Sequence, residues 1–258
     1  VFHYLGYLWK EHTVQVALLG ISLTGIASNR LSTLDIEKAS RVSLAENDRV
    51  ARIIGINTAA RITLLKPEGT GSLVLGTSSG IHTWYSKYYI RRLRVNKNEP
   101  IYPYLKEKLP NLVEDETIGS GAIISIPMKA PDGAITREDE GPLDLLERVK
   151  IFHQQWIKPT HRRGMNPHNI SVTVSILNEW DTVGKWLWEN RNEWSGISFL
   201  PYDGGNYKQT PFEEITEERY NEMVGYLAQI DLSEIIEEED NSELQKVIAC
   251  AGNACEVL

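Results

Sequence analysis

The residues best suited to chemistry form one short segment, Lys66-Pro-Glu-Gly-Thr-Gly-Ser72. Glycine at positions 69 and 71 lets the backbone bend so that successive N–H groups point into one concavity. The hydroxyl groups of Thr70 and Ser72 add donors, and such a loop can hold a phosphate group without a metal ion. The spacing matches neither the P-loop nor the dinucleotide-binding fingerprint. An ordinary glycine-containing turn between a strand and a helix is the alternative interpretation.

A second candidate group is the pair of thiols near the end of the chain, Cys250 and Cys255. Four residues separate them, one of which is glycine, so the pair can close a disulfide without straining a helix or strand. Thiol–disulfide exchange requires access, which a terminal segment provides. Two unpaired cysteines, or half of a zinc site, are the alternatives, although the tail contains no further zinc ligands.

The histidines and arginines give weaker signals. The spacings of His153, His161 and His168 match no metal motif, so we expect structural or surface roles and no metal site. His82 lies beside the glycine loop, where it either helps to hold a phosphate or caps a turn. Three arginines on one predicted strand are suited to neutralising phosphate, although strands that face water often have this composition: Arg91, Arg92 and Arg94.

The loop follows an apolar run at residues 61–65 that predicts a buried strand. Strands and helices alternate along the rest of the chain, which predicts an α/β architecture. Further strands are predicted at residues 13–23, 88–95, 122–127, 169–176 and 197–200. Helices are predicted from Ser32 or Thr33 to 54, closed by Gly55, at 142–160, at 181–190 with Asp181 as the cap, and from about Thr216.

Composition limits the class of protein. The 258 residues carry a formal net charge of −8, which argues against a nucleic-acid-binding surface. No apolar run is long enough to span a bilayer and no signal peptide is visible, and both cysteines lie at one end, so we expect a cytoplasmic protein. The chain does not begin with Met, which suggests a piece of a longer polypeptide or one half of a split one.

Taken together, the segments resemble the carboxy-terminal part of the adenosylcobalamin-dependent (class II) ribonucleotide reductases. Blocks in the expected order carry the resemblance, and the terminal cysteine pair adds to them. The blocks are Lys66-Pro-Glu-Gly-Thr-Gly-Ser72, Gly76-Thr-Ser-Ser-Gly-Ile-His82 with Tyr88-Tyr-Ile-Arg-Arg92, Pro167-His-Asn-Ile-Ser-Val-Thr-Val174, and Gly196-Ile-Ser-Phe-Leu-Pro-Tyr-Asp-Gly204.

The resemblance implies a ten-stranded α/β barrel of two half-sheets, of which this chain supplies the second. It assigns residues 1–228 to that half-barrel and 229–258 to a flexible acidic tail. It also implies that the loop binds the phosphates of a ribonucleoside di- or triphosphate. Adenosylcobalamin would bind mainly through the missing amino-terminal part of the enzyme. The implied phosphate-binding residues are Pro67, Gly69, Thr70, Gly71 and Ser72.

In that family the terminal pair that matches Cys250 and Cys255 re-reduces an active-site disulfide and is itself reduced by thioredoxin or a similar donor. Two departures concern the loop. Glu68 stands where the family often has Ser, and since a carboxylate repels phosphate we assign only its backbone to binding. Thr83 replaces a Pro that frequently follows Gly-Ile-His.

The family's mechanism also needs a cysteine that carries a thiyl radical, an internal pair of reducing cysteines and an Asn/Glu pair. With cysteines only at positions 250 and 255, this chain has neither the radical cysteine nor the internal pair. The alternatives are a non-catalytic nucleotide-binding half-protein and a small dithiol oxidoreductase. Within the family, iron or a glycyl radical in place of cobalamin is a third.

Overall fold

A computed structural model describes residues 6–28, 31, 33–117, 119–202, 209–228 and 230–236. The helices are α1 (Tyr7–Val16), α2 (Ile36–Ile54), α3 (Thr70–Val74), α4 (Ile101–Lys108), α5 (Pro142–Phe152), α6 (Trp180–Glu189) and α7 (Glu217–Leu227). The strands are β1 (Tyr88–Val95), β2 (Val113–Asp115), β3 (Ala122–Lys129), β4 (Thr173–Ile176), β5 (Ser198–Pro201) and β6 (Phe212–Glu214). Among these residues no helix has the length and apolar character needed to cross a membrane.

A parallel arrangement of four chain segments supports the glycine loop. Strands β4 and β5 pair in parallel, and Leu65 bridges to Ile170 in the same sense. Ile21 in turn bridges in parallel to Thr63. The segment at residues 61–65 therefore lies between Ile21 and the segment that continues into β4, and its carboxyl end leads directly into the loop.

The second sheet is antiparallel, with the order β2-β3-β1-β6. Strand β1 pairs with β3 along its whole length, from Tyr88 opposite Lys129 to Val95 opposite Ala122. Helix α7 packs on β1 and β3 through the buried Met223. The two sheets confirm an α/β fold, but the strands of the described residues do not close into a barrel.

The main core lies between the parallel segments and helices α2 and α5. The buried Trp156 anchors this core, because its indole Nε1 donates to the Leu64 carbonyl over 3.0 Å. The neighbouring Thr63 hydroxyl bonds to the Trp156 carbonyl and to the Thr160 hydroxyl. These bonds fix the strand that carries the loop against the helical layer, as buried polar groups require.

Several predicted elements differ in detail. Residues 13–16 belong to the exposed helix α1, so the prediction of one buried strand at 13–23 was wrong. Helix α2 begins at Ile36, because the Asp35 side chain accepts the Lys38 N–H over 2.8 Å and caps the helix. The predicted cap at Ser32 or Thr33 was therefore wrong. The prediction that Gly55 closes the helix is confirmed.

The helix predicted at 142–160 is not uniform. Its α-helical part ends at Phe152, and one π-helical turn (His153–Ile157) and a 3₁₀ turn (Lys158–Thr160) follow. Helix α6 begins at Trp180, so Asp181 lies in its first turn and is not the cap. Residues 96–120, for which no helix or strand was predicted, contain α4 and β2.

Candidate functional site

The position of the glycine loop depends on a close approach of two backbone segments, at Lys66 and at Gly80. Gly80 has φ +55°, and a Cβ atom at this position would lie 2.6 Å from the Lys66 carbonyl oxygen. Only glycine fits such a position without displacing the facing backbone. The end of the 61–65 segment and the turn before His82 are therefore held side by side.

Hydrogen bonds within the loop fix its shape. The Ser79 hydroxyl accepts the Glu68 N–H over 2.8 Å, and the Ser72 hydroxyl, which is 3% exposed, donates to the Gly69 and Glu68 carbonyls. The Glu68 N–H, which we assigned to phosphate binding, is thus already engaged. Helix α3 begins at Thr70, and the first N–H groups of a helix have no partner within it.

The Glu68 carboxylate lies beside the first turn of α3. Its Oε2 atom would be 2.8 Å from a Cβ at Gly71. A negative charge is favourable near the positive end of a helix, and a bound phosphate would compete with this side chain for the same place.

The loop opens into a cavity of about 330 Å³. Pro67 and Ser72 line the cavity, whereas Gly69 and Gly71 lie in the loop beside it and are not among the described residues of its wall. The hydroxyl group of Ser78, a residue 3% exposed in the wall, has no hydrogen-bond partner among the described residues. The hydroxyl-bearing side chains of this end are Ser72, Thr77, Ser78, Ser79, Ser171, Thr173 and Ser175.

His82 connects the loop to β4. Its Nε2 atom accepts the Thr173 N–H over 3.2 Å, so the proton of the neutral ring is on Nδ1. Burial lowers the pKa of His82, and the nearby Arg148 lowers it further. The residue therefore acts here as a neutral hydrogen-bond acceptor.

The opposite end of the cavity is aromatic and cationic. Arg137 lies over the Tyr85 ring, 3.5 Å from its centroid, and Arg91 lies 4.9 Å from the centroid of Phe212. Tyr85 and Phe212 stack with their centroids 5.2 Å apart. Burial raises the pKa of Tyr89, which completes this wall, to about 12, so the phenol stays neutral. Flat rings and guanidinium planes of this kind can stack on a nucleobase.

Two carboxylates in the wall are occupied by their own partners. Glu140 forms a buried ion pair with Arg148; burial raises the pKa of Glu140, and Arg148 limits the rise. Glu179 accepts the N–H groups of Leu177 and Asn178, which lower its pKa. These two groups therefore do not pair with the arginines of the aromatic end, where Arg137 lies 3.7 Å from the Glu214 carboxylate.

The other predicted residues are dispersed. Cys250 and Cys255 lie outside the described residues. Arg92 pairs with Glu213, Arg94 with Glu116, and of the three strand arginines only Arg91 reaches the cavity wall. The sequence analysis missed Tyr85, Arg137 and Phe212, since they come from three separate segments. In the described part of the chain no group of His, Cys, Asp and Glu residues is arranged to hold a metal ion.

No protein-family model matches the chain. A probable adenosylcobalamin-dependent ribonucleoside-triphosphate reductase of Dictyostelium discoideum is 26% identical over 253 residues, covering 93% of this chain and 32% of the relative. The enzymes named adenosylcobalamin-dependent ribonucleoside-triphosphate reductase from Euglena gracilis and Lactobacillus leichmannii are 28% and 27% identical, over 84% and 80% of this chain. The chain spans about a third of the length of these curated relatives.

A crystal structure of a B12-dependent (class II) ribonucleotide reductase superimposes with a TM-score of 0.71 at 20% identity, covering 88% of this chain and 35% of that one. This similarity establishes a shared fold. The resemblance seen in the sequence is thereby confirmed: over most of its length the chain is a homologue of the adenosylcobalamin-dependent (class II) ribonucleotide reductases, and it spans about a third of them.

Proposed function

We propose that this chain is the carboxy-terminal segment of a class II ribonucleotide reductase and that its cavity binds the ribonucleotide substrate. The observation that carries the proposal is the glycine loop, which leaves the carboxyl end of a parallel segment and opens into a cavity with hydroxyl groups at one end and aromatic rings at the other. Ligands of α/β proteins bind at this end of the strands.

The substrate phosphates are assigned to the loop formed by Pro67, Gly69, Thr70, Gly71 and Ser72. Backbone N–H groups at the start of α3 and the hydroxyl groups of the cavity supply donors for an anion. Ser72 contributes by holding the loop, since its own proton is donated to loop carbonyls. The Glu68 carboxylate has to turn away from Gly71 when a phosphate binds. This movement requires only a rotation of the side chain.

The nucleobase is assigned to the aromatic end. Tyr85 and Phe212 offer ring faces, and Arg137 and Arg91 offer guanidinium groups above them. The cavity volume of about 330 Å³ lies in the range of small-molecule sites. With its base and phosphates held at opposite ends, the ribose would lie between them, positioned for chemistry supplied from elsewhere.

The radical chemistry belongs to the rest of the enzyme. The sequence has cysteines only at positions 250 and 255, so a thiyl radical on a central cysteine requires another polypeptide segment. The outer edges of the parallel segments are exposed, at Leu19 and Ile21 on one side and Leu200 on the other. Such edges fit a second half-sheet that would complete the barrel.

The substrate cavity does not have room for adenosylcobalamin. Its volume of about 330 Å³ is too small to enclose a corrin with its side chains. We therefore assign the cofactor, which generates the radical in this class, to the amino-terminal part of the enzyme. A ribonucleotide reductase of the same family that uses iron or a glycyl radical would instead reduce ribonucleotides without cobalamin.

Cys250 and Cys255 are assigned to electron delivery. In one exchange cycle their two thiols become a disulfide while the active-site disulfide of the other part becomes two thiols, so two electrons and two protons move together. A thioredoxin-like dithiol then returns the pair to the reduced state. A cytoplasmic setting, which keeps thiols reduced, suits this relay.

The phosphate assignment is tested by comparing two ligands, a ribonucleoside triphosphate and the free ribonucleoside. Replacing Ser72 by Ala removes the bonds that shape the loop, so affinity for the triphosphate should fall about tenfold while affinity for the nucleoside stays unchanged. Calorimetric titration measures both constants.

Ser43→Ala is the matched control, because Ser43 also donates to a helix carbonyl, that of Ala39, but lies in α2 away from the cavity. If Ser72→Ala lost affinity for both ligands equally, or lost affinity for neither, the result would contradict a phosphate site at this loop. A non-catalytic nucleotide-binding protein would pass this test but would remain inactive after addition of the amino-terminal part and adenosylcobalamin.

A further inference from the structure

A second cavity, of about 490 Å³, lies at the other end of the strand segment that carries the loop. Arg61 lines this cavity at the amino end of the segment, whereas Pro67 lines the substrate cavity beyond its carboxyl end. An extended chain advances about 3.3 Å per residue, so about 20 Å of backbone separates the two positions. The second cavity is thus distinct from the proposed nucleotide site.

The wall of this cavity is cationic. Two of its residues are Arg61 and Arg163, and Gln15, Asn57 and Thr58 add uncharged polar groups. None of the described residues that line it is acidic. This is unexpected in a chain with a formal net charge of −8, in which carboxylates are abundant.

Arg61 is the central group. Its Nε atom is buried without a hydrogen-bond partner, and no ion pair of Arg61 is present among the described residues. Gly164, with φ +97°, packs against the guanidinium so closely that a Cβ there would lie 2.6 Å from Nη2. A half-buried guanidinium held in place without a counter-ion is costly unless a ligand provides one.

The acceptors nearby are already in use. Arg163 Nη2 donates to the carbonyls of Gln15 and Thr58 over 2.8 and 3.0 Å. The adjacent carbonyl of Val14 accepts from the Asn57 amide, and that of Val16 accepts from the backbone of Ala60. The end of α1 therefore gives Arg163 a fixed position and leaves Arg61 without an acceptor.

The two histidines next to Arg61 supply no counter-charge for its guanidinium. His161 and His168 lie next to Arg61, and each has a buried Nδ1 without a partner. Burial lowers the pKa of His168, and the Arg61 guanidinium lowers it further. The nearest arginine beyond this group, Arg162, is paired with Asp48 and so is neutralised.

From this arrangement we propose that the cavity formed by Arg61, Arg163 and Thr58 binds an oxyanion, the phosphate or carboxylate group of a small molecule. The planar fork of an arginine matches two oxygens of such a group, and the Thr58 hydroxyl can donate to a third. The ligand would bind at the amino end of the strand segment, whereas the nucleotide binds beyond its carboxyl end.

The test follows the Arg61 Nε–H signal by ¹H–¹⁵N NMR in the purified protein while inorganic phosphate is added at constant ionic strength. The signal is assigned by its absence in Arg61→Lys. It should shift in a saturable manner, and the apparent affinity should fall about tenfold when Arg163 is replaced by Gln, since one charged donor is lost.

Arg191→Gln is the matched control, because this exposed arginine stacks on Trp188 away from both cavities and its loss removes the same charge. Parallel titrations with acetate and chloride distinguish the sources of the effect. Saturation by phosphate alone, or by phosphate and acetate, supports an oxyanion site of the corresponding selectivity. The proposal is overturned if the signal shifts linearly and equally with phosphate and with chloride, or if the affinity for phosphate is unchanged in Arg163→Gln. Because the signal belongs to Arg61, binding of phosphate at the glycine loop does not affect this result.

Discussion

Among single residues, His82 shows most clearly how the site depends on its surroundings. Its position next to the glycine loop suggested phosphate binding or a turn cap. In the structure its Nε2 instead accepts the first N–H of β4, and burial keeps the ring neutral. The residue therefore links the loop to the strand that forms the opposite wall.

Burial of His82 makes stability depend on pH. Because its pKa is lowered on folding, the unfolded chain binds more protons, and the free energy of unfolding should fall as the pH drops below about 6.5. Burial also lowers the pKa of His153 and His168, so both add to the same trend. Denaturant unfolding measured between about pH 8 and about pH 5 should show this loss.

His82→Gln keeps an acceptor for the Thr173 N–H but cannot titrate, so its stability should fall less steeply over this range. His12→Gln, on the exposed helix α1, is the control and should follow the wild-type curve. If His82→Gln retained the full slope, the buried neutral histidine would not be its source.

At the scale of elements, the tight turn at Gly80 positions the loop. Gly80→Ala should destabilise the protein by about 1–3 kcal/mol, because φ is positive and the added methyl group meets the Lys66 backbone. It should also weaken triphosphate binding, since Lys66 precedes the loop. Thermal unfolding and calorimetric titration measure the two effects.

Gly184→Ala provides the opposite control. Gly184 lies in α6 with nothing within 4 Å of an added Cβ, so alanine there should stabilise the helix by up to about 1 kcal/mol. Similar effects of the two substitutions would show that the close approach at Gly80 is not a constraint.

Local patterns were sufficient for some elements and not for others. Strand β1 was predicted at its observed limits because aromatic, apolar and basic residues alternate along it. The apolar run at 13–23 was misassigned, since its first four residues belong to a helix of which no residue is buried. The π-turn after Phe152 has no sequence signal; it accompanies the tertiary bonds of Trp156.

For the molecule as a whole, the central prediction concerns dependence on a second segment. The 258-residue chain supplied with ribonucleotide, adenosylcobalamin and a dithiol should form no deoxyribonucleotide. Its only cysteines are the terminal pair, Cys250 and Cys255, so the cysteine that would carry the radical is missing. Addition of the amino-terminal part should restore product, measured by chromatography, and only with adenosylcobalamin. Turnover by the chain alone would exclude this mechanism.

The cysteine pair gives a second prediction at this scale. In the complete, pre-reduced enzyme, Cys250→Ser should spare one turnover and abolish the following ones, because only re-reduction of the active site needs the pair. Rapid-quench measurement of product per enzyme separates the first turnover from the rest. A small dithiol oxidoreductase would instead lose all activity at once, including the first turnover.

The sequence by itself determined the family resemblance, the glycine loop after an apolar segment, the cysteine pair and the absence of a radical cysteine, because these depend on residue types and short spacings. The tertiary structure alone decided which residues share a cavity. Arg137 and Phe212 share the cavity only because segments far apart in sequence pair with Trp84 and with β1. Arg61 Nε lacks a partner because its neighbours use the available acceptors. Contacts of this kind arise from packing over long sequence separations, which no local pattern encodes.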